Sequence, residues 1–339
     1  MTTRVPTLPV RASRVVDLNL LKVRIATNLE EFDGYAYFAR EVAEPAEADY
    51  EIYCMDLDRD PFDTAALASQ VDRTLRAKRF QAGYYLSHMF GDPAYLITEG
   101  RTSYVFGRRL ERTVWPYFVK RILTDYAADH GLLHLKAAGL VAEDGAATLL
   151  VGPNGGGKTV FLAQACAHGA RFLSNTHMLV RADTGVAHGI PAAVRVRPDA
   201  AFRELIAAGK LVPHLESGDY VADPALVFPH GGVERGVVRN IVITDFRPGT
   251  HGGLEPLDPD RAELFLDQFA SAVTTYGLKD DLMTHCHGDI RSFTDRLLDW
   301  RRQLSALVRQ ATCFRANVDM LDPSARQAAL AELGVSAVR

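Results

Sequence analysis

The stretch Leu149-Leu150-Val151-Gly152-Pro153-Asn154-Gly155-Gly156-Gly157-Lys158-Thr159 decides how the rest of the chain is read. An apolar run ends in the pattern G-x-x-x-x-G-K-T, and an apolar, alanine-rich segment from Val160 to Ala167 follows. That order is strand, phosphate-binding loop, helix. Gly152, Gly155, Gly156 and Gly157 allow backbone conformations closed to residues with a Cβ, so their N–H groups can turn inward as an anion nest at a helix start. The pattern gives Lys158 the β- and γ-phosphates and gives the Thr159 hydroxyl a Mg²⁺ ion. A glycine-rich turn that matches by chance is the plainer alternative, and the strand and helix patterns on either side weigh against it. Gly152, Asn154, Gly155, Gly156, Gly157, Lys158, Thr159 and Val160 are therefore expected to hold a nucleoside triphosphate.

Outward from the loop, the apolar strands continue in both directions. Leu132 to Val141 is a strand candidate, Glu143-Asp144-Gly145 a turn, and Ala147 to Val151 the strand that feeds the loop. Arg171 to Arg181 reads as the next strand, broken by polar residues in its middle. Ile190 to Arg197 contains a strand, Ala200 to Ala208 a short helix, and Asp219 to His230 a loop with Pro224 and Pro229. Val237 to Phe246 is an apolar strand, Pro259 to Phe269 and Phe293 to Leu307 are helices, and residues 323–339 form an alanine-rich terminal helix. On the N-terminal side, Trp115 to His130 is a long amphipathic helix ending at Gly131. Before it, Arg14 to Thr27, Tyr50 to Met55, Tyr84 to His88, Ala94 to Thr98 and Ser103 to Phe106 read as strands, and Phe62 to Ala77 as a helix. Residues 1–115 are thus expected to form a mixed, strand-rich domain on the acceptor or interaction side, and residues 116–339 a nucleotide-binding domain with C-terminal helices.

Composition sets outer bounds. The chain has 339 residues, is 47% hydrophobic and 24% charged, and carries a formal net charge of -4. Nothing in that balance suggests a general nucleic-acid or membrane binder. Cys54, Cys166, Cys286 and Cys313 are far apart, which suits a reducing cytoplasm better than a disulfide framework. The first residues lack a signal-peptide pattern, and no run of 18 or more apolar residues marks a membrane span. A cytoplasmic chain with no nucleic-acid or membrane partner is the expectation.

The wider layout resembles the HPr kinase/phosphorylase-like kinases, relatives of the phosphoenolpyruvate carboxykinase fold. The resemblance runs from about Tyr117 to Phe246. It is carried by Leu132 to Val141 as the strand before the loop, Gly152 to Thr159 as the loop, and His168 to Ser174 as the helix exit and next strand. Val194 to Pro198 and the strand from Val238 to Asp245 complete it. The resemblance implies an α/β (α+β) fold, ATP and Mg²⁺ as cofactors, and phosphoryl transfer to a hydroxyl. It allows a small-molecule acceptor, such as a nucleoside or sugar intermediate in biosynthesis. A peptide or protein serine acceptor is the second reading it allows, and it suggests a homo-oligomer.

One departure matters. The family places two adjacent aspartates after the loop helix, where this chain has Asn175 and Thr176, followed by His177. Its frequent histidine falls at Lys136. Three readings stay open. His177 has taken over as base, with Asn175 beside it, because imidazole titrates in the right range. Alternatively, no strong base is needed, since phosphoryl transfer depends chiefly on positioning and charge neutralisation. In the third reading the loop binds nucleotide without catalysis. His177 reads equally well as a packed strand histidine.

Remaining candidates are weaker by themselves. Asp245 closes the apolar run Ile241-Val242-Ile243-Thr244 in the manner of a Walker B metal ligand, or as a plain strand end. Arg195 and Arg197 are two apart, hence on one strand face, and either form a plain solvated face or suit a phosphate or carboxylate on the substrate side, as Lys136 does. His285, Cys286, His287 and Asp289 invite a zinc reading but lack a second ligand pair. Arg108, Arg109, Arg112, Lys120 and Arg121 cluster as a basic face. Tyr35, Tyr37, Phe38 and Tyr53 line an acceptor pocket or simply a core.

Overall fold

A computed structural model describes residues 5, 7–30, 41–42, 46–63, 65, 73–75, 94–108, 114–198, 202–213, 219–245 and 252–335. The chain divides into two compact units, Met1–Leu123 and Thr124–Arg339, so the division falls within the helix Val114–His130 and not at its start. Tyr35, Tyr37, Phe38, Arg109, Arg112 and the strand expected at Tyr84 to His88 lie outside the described residues.

The first unit is a mixed sheet. Its strands are β1 (Ala12–Asp17), β2 (Lys22–Thr27), β3 (Glu41–Val42), β4 (Tyr50–Asp56), β5 (Arg73–Leu75), β6 (Ala94–Glu99) and β7 (Thr102–Gly107). They run in the order β3-β1-β2-β4-β7-β6-β5, with β2, β4 and β7 mutually parallel at the centre. Apolar residues on these strands are buried, among them Ile25, Ile52 and Val105. Buried Asn28 ties the ends of β2 and β4, accepting from the Asp56 N–H at 2.7 Å and donating to the Asp56 carbonyl at 2.8 Å. Tyr53 stacks on its cross-strand partner Tyr104 with ring centroids 5.1 Å apart, so it packs against the core in this unit. The helix expected from Phe62 to Ala77 is corrected at its end, because Arg73–Leu75 pairs as a strand with β6.

The second unit holds the loop. Its main sheet is built from β8 (Leu133–Lys136), β9 (Ala138–Val141), β10 (Ala146–Val151), β11 (Arg171–Ser174), β12 (His177–Arg181), β13 (Val186–Gly189), β17 (Arg235–Thr244), β18 (Leu254–Pro256) and β19 (Thr312–Ala316). A small separate sheet comprises β14 (Val194–Val196), β15 (Val212–Pro213) and β16 (Tyr220–Ala222). The main order is β11-β9-β10-β17-β13-β12-β8. β17 is the spine. It runs parallel to β10 along one side, and on the other it pairs with β13 near its start and β19 near its end.

Alternation along the strands builds two apolar layers, because successive side chains point to opposite faces. Leu150 and Val242 join Leu162 of the helix Lys158–Ala167 and the small sheet's Val194 in one layer. Leu149, Val151, Ile241 and Ile243 join Leu266 and Leu304 in the other, where the helices Pro259–Phe269 and Ile290–Gln310 pack. The chain is therefore α+β, with helices on both faces of a mixed sheet.

Two single-strand expectations resolve into pairs. Leu132 to Val141 is two strands, and they lie far apart in the sheet. β8 pairs with β12 at one edge, whereas β9 pairs with β10 and β11 near the other. Only Ala137 separates them in sequence. The sheet must curl so that its two ends meet. Arg171 to Arg181 is likewise β11 and β12, with Asn175 and Thr176 between them. The segment Asp219 to His230, expected as loop, contains β16 and the short helix Pro224–Val227, which Asp223 caps.

Candidate functional site

The glycine loop spans the gap between the end of β10 and the helix Lys158–Ala167. Val151 pairs with Ile243, so Gly152 meets Thr244 at the end of β17. A Cβ on Gly152 would lie 2.6 Å from both the carbonyl and the hydroxyl oxygen of Thr244, which only glycine avoids. Gly157 precedes the helix with φ 86, in the left-handed region that favours glycine. No side chain caps this helix start, so its first amides remain donors for an anion.

Two ammonium groups converge on the loop. Lys158 Nζ donates to the carbonyls of Gly152 and Pro153, each at 2.8 Å. Lys136, the last residue of β8, donates from Nζ to Asn154 Oδ1 at 3.2 Å. Burial, and then the charge of Lys136, pull the Lys158 pKa from 10.5 down to about 8. Burial also lowers that of Lys136. Two half-buried cations that destabilise each other favour a multiply charged anion between them, since opposite charge would relieve both costs.

The other expected residues fall in four places. Asn175 sits in the turn between β11 and β12, where Nδ2 donates to the Ala193 carbonyl at 3.4 Å and Oδ1 is buried without a hydrogen-bond partner. Such an orphaned acceptor costs about 1–3 kcal/mol, so its presence calls for a reason. Asp245 follows β17 directly and accepts from Arg315 Nη2 of β19 at 3.0 Å. Thr159 lies in the first turn of the loop helix, half-buried. Arg195 forms an ion pair with Asp219 inside the unit's small sheet, its Nε 2.6 Å from Oδ2, whereas Arg197 lies just past β14 and is exposed.

His177 is placed as a packed strand histidine and not as a base at the loop. It is fully buried, its Nδ1 is 3.1 Å from His134 Nε2, and its ring packs against Tyr276 at 5.3 Å between centroids. His134 and Tyr276 were not expected at the site from sequence. Nothing in the sequence marks either, because the contacts of His177 with His134 and Tyr276 are non-local.

Two residues of the stretch from His285 to Asp289 have structural partners. His285 Nε2 lies 2.8 Å from Asp129 Oδ1, and Asp289 caps the helix Ile290–Gln310 through the N–H groups of Arg291 and Ser292. Among the described residues no group of three or more His, Cys, Asp and Glu side chains could hold a metal. Mg²⁺ does not require such a cage, since it binds through one or two protein oxygens plus phosphates and water. No helix of the described residues is long and apolar enough to cross a membrane.

No protein-family model matches the chain, and no curated protein matches it. The geometry of the loop and its neighbours carries the functional argument.

Proposed function

We propose that this chain is an ATP- and Mg²⁺-dependent kinase of the HPr kinase/phosphorylase-like kind, acting on the hydroxyl of a small metabolite such as a nucleoside or sugar intermediate. The observation that carries this reading is the pair Lys136 and Lys158, whose ammonium groups meet the glycine loop at Gly152 to Asn154, ahead of an uncapped helix start. Together they supply the charge that a β,γ-phosphate pair needs.

Thr159 and Asp245 would hold Mg²⁺, which would neutralise charge on the phosphates. Asp245 would exchange its Arg315 partner for that role. The acceptor oxygen forms a bond to the γ-phosphorus as the bond to the ADP oxygen breaks, and the hydroxyl proton leaves to water. Asn175 Oδ1, orphaned and buried, would accept a hydrogen bond from the acceptor hydroxyl and orient it. An amide cannot take the proton outright, and a loose transition state does not require it to.

The test is ADP release with ATP and Mg²⁺ across a panel of nucleosides, sugars and peptides. Acceptor-dependent ADP and a phosphorylated small molecule are expected, and Lys158→Arg should abolish both. Phosphorylation of peptides alone would move the acceptor class to peptide or protein serine. Nucleotide binding without turnover on any acceptor would replace the kinase reading by a nucleotide-binding one.

A further inference from the structure

The buried histidine pair has no part in the chemistry above, yet it is costly to build. Thr124 Oγ1 lies 2.8 Å from His134 Nδ1, and His134 Nε2 lies 3.1 Å from His177 Nδ1. Thr124, His134, His177 and Tyr276 are all buried, in a place where apolar side chains would avoid the desolvation of polar groups. A hydrogen-bonded imidazole pair fixes ring orientation in a way that aliphatic packing does not. What it fixes is visible in the register. His177 stands directly opposite Lys136 across β8 and β12, so both side chains leave the same face. The Tyr276 ring lies against both. It is 5.3 Å from the His177 ring and has Lys136 Nζ 5.7 Å from its centroid, within cation–π range. The backbone of the next segment is pinned too, since the Lys136 N–H donates to the Ala270 carbonyl at 2.7 Å.

Lys136 is therefore an aimed cation. It reaches Asn154, next to the Gly152 and Pro153 carbonyls that hold the Lys158 ammonium, whereas the Lys158 backbone opens the helix, so an anion at the helix start can draw Lys158 to it and leave Lys136 at the limb leaving β10. A short anion in the nest engages the helix start and Lys158. A longer one adds a phosphate that can engage the second cation as well. We infer that Lys136, seated on the buried His134–His177–Tyr276 group, is a specificity residue that favours a triphosphate chain over a diphosphate. His134, His177 and Tyr276 are its positioning residues. This rests on the loop's binding a phosphate chain, as proposed above, but not on the chain's being a kinase.

Inorganic tripolyphosphate and pyrophosphate, each with Mg²⁺, separate the two claims in titration calorimetry on the full chain. Wild type should prefer tripolyphosphate. Lys136→Met should weaken tripolyphosphate about 10-fold and pyrophosphate less than about 2-fold, the scale of one charge-assisted contact. His177→Leu and Tyr276→Leu should each give part of that selective loss, and none of it in the Lys136→Met background. His177→Gln, which keeps a hydrogen-bonding group, should retain more selectivity than His177→Leu, and melting curves would show whether each variant folds. Equal weakening of both anions by Lys136→Met would overturn the inference. So would a His177→Leu loss that persists undiminished without Lys136, or a wild type that binds neither anion. If selectivity behaves as stated while no acceptor is ever phosphorylated, the kinase reading falls and this one stands.

Discussion

On the proposed function, the depressed pKa of Lys158 would make nucleotide binding a proton-coupled event with a defined sign. Its value falls from 10.5 to about 8 in the folded protein, chiefly by burial and then by Lys136. A lysine lowered in this way destabilises the fold while it is charged. The full cost is present below pH 8, is relieved as pH rises from about 8 to 10.5, and is gone above that. A drop of this size corresponds to roughly 3 kcal/mol at most, and solvent at the half-buried ammonium reduces it to about 1–2. A polyphosphate in the loop favours the charged form and should restore a pKa near or above the ordinary value. Binding should then take up about half a proton at pH 8 and nearly one at pH 9, and the apparent Kd for Mg-ATP should rise about 10-fold between pH 7 and pH 9. Calorimetry at pH 8 and 9 in two buffers of different ionisation enthalpy measures the uptake directly. Lys158→Arg should flatten the pH dependence, since arginine does not titrate there. Lys136→Met should shift it to higher pH by removing the repelling charge. A Kd constant from pH 7 to 9, with heats independent of buffer, would refute the reasoning that two mutually destabilising cations define the site.

Three further outcomes test the surroundings. Gly152→Ala should lose nucleotide binding and about 1–3 kcal/mol of stability in denaturant melts, and Thr244→Ala should rescue it only in part because the Thr244 backbone carbonyl remains in the way. Asn175→Leu should leave stability unchanged or raise it by about 1 kcal/mol by removing an orphaned acceptor, while acceptor-dependent turnover falls, and an undiminished rate would take Asn175 out of the site. Asp289→Ala should lower the melting temperature through the lost helix cap, with no effect on turnover, and a chelator should leave the wild-type melting temperature unchanged.

The glycine loop was legible because its signal is local: each residue type answers to a backbone or charge requirement within a few positions. The element types around it were legible for the same reason, from β10 and β17 to the helix Lys158–Ala167. What escaped was non-local. Nothing within the apolar run from Leu132 to Val141 marks Ala137 as the point where the chain leaves one sheet edge for the other. The strand Arg73–Leu75 depends on β6 for its pairing, about 20 residues away in sequence. His177 looked like a replacement base because sequence supplies no hint of His134, 43 residues earlier, or of Tyr276. Arg195 looked available to a substrate until Asp219, in an apparently loop-like segment, proved to be its partner.

The curled sheet has a consequence for how this loop tolerates change over evolution. In a flat sheet of the same strand order, β8 and β10 are four strand spacings apart, close to 20 Å. Curling brings Lys136 to within 3.2 Å of Asn154. With only Ala137 joining β8 to β9, there is no slack in that closure. One inserted residue there would shift β8 against β12 and send Lys136 and His134 to the opposite face together. The contact between Lys136 and Asn154 is therefore held by connection length as much as by side-chain identity. Substitutions along the apolar strands can drift, whereas an insertion at Ala137 would dismantle the site in a single step.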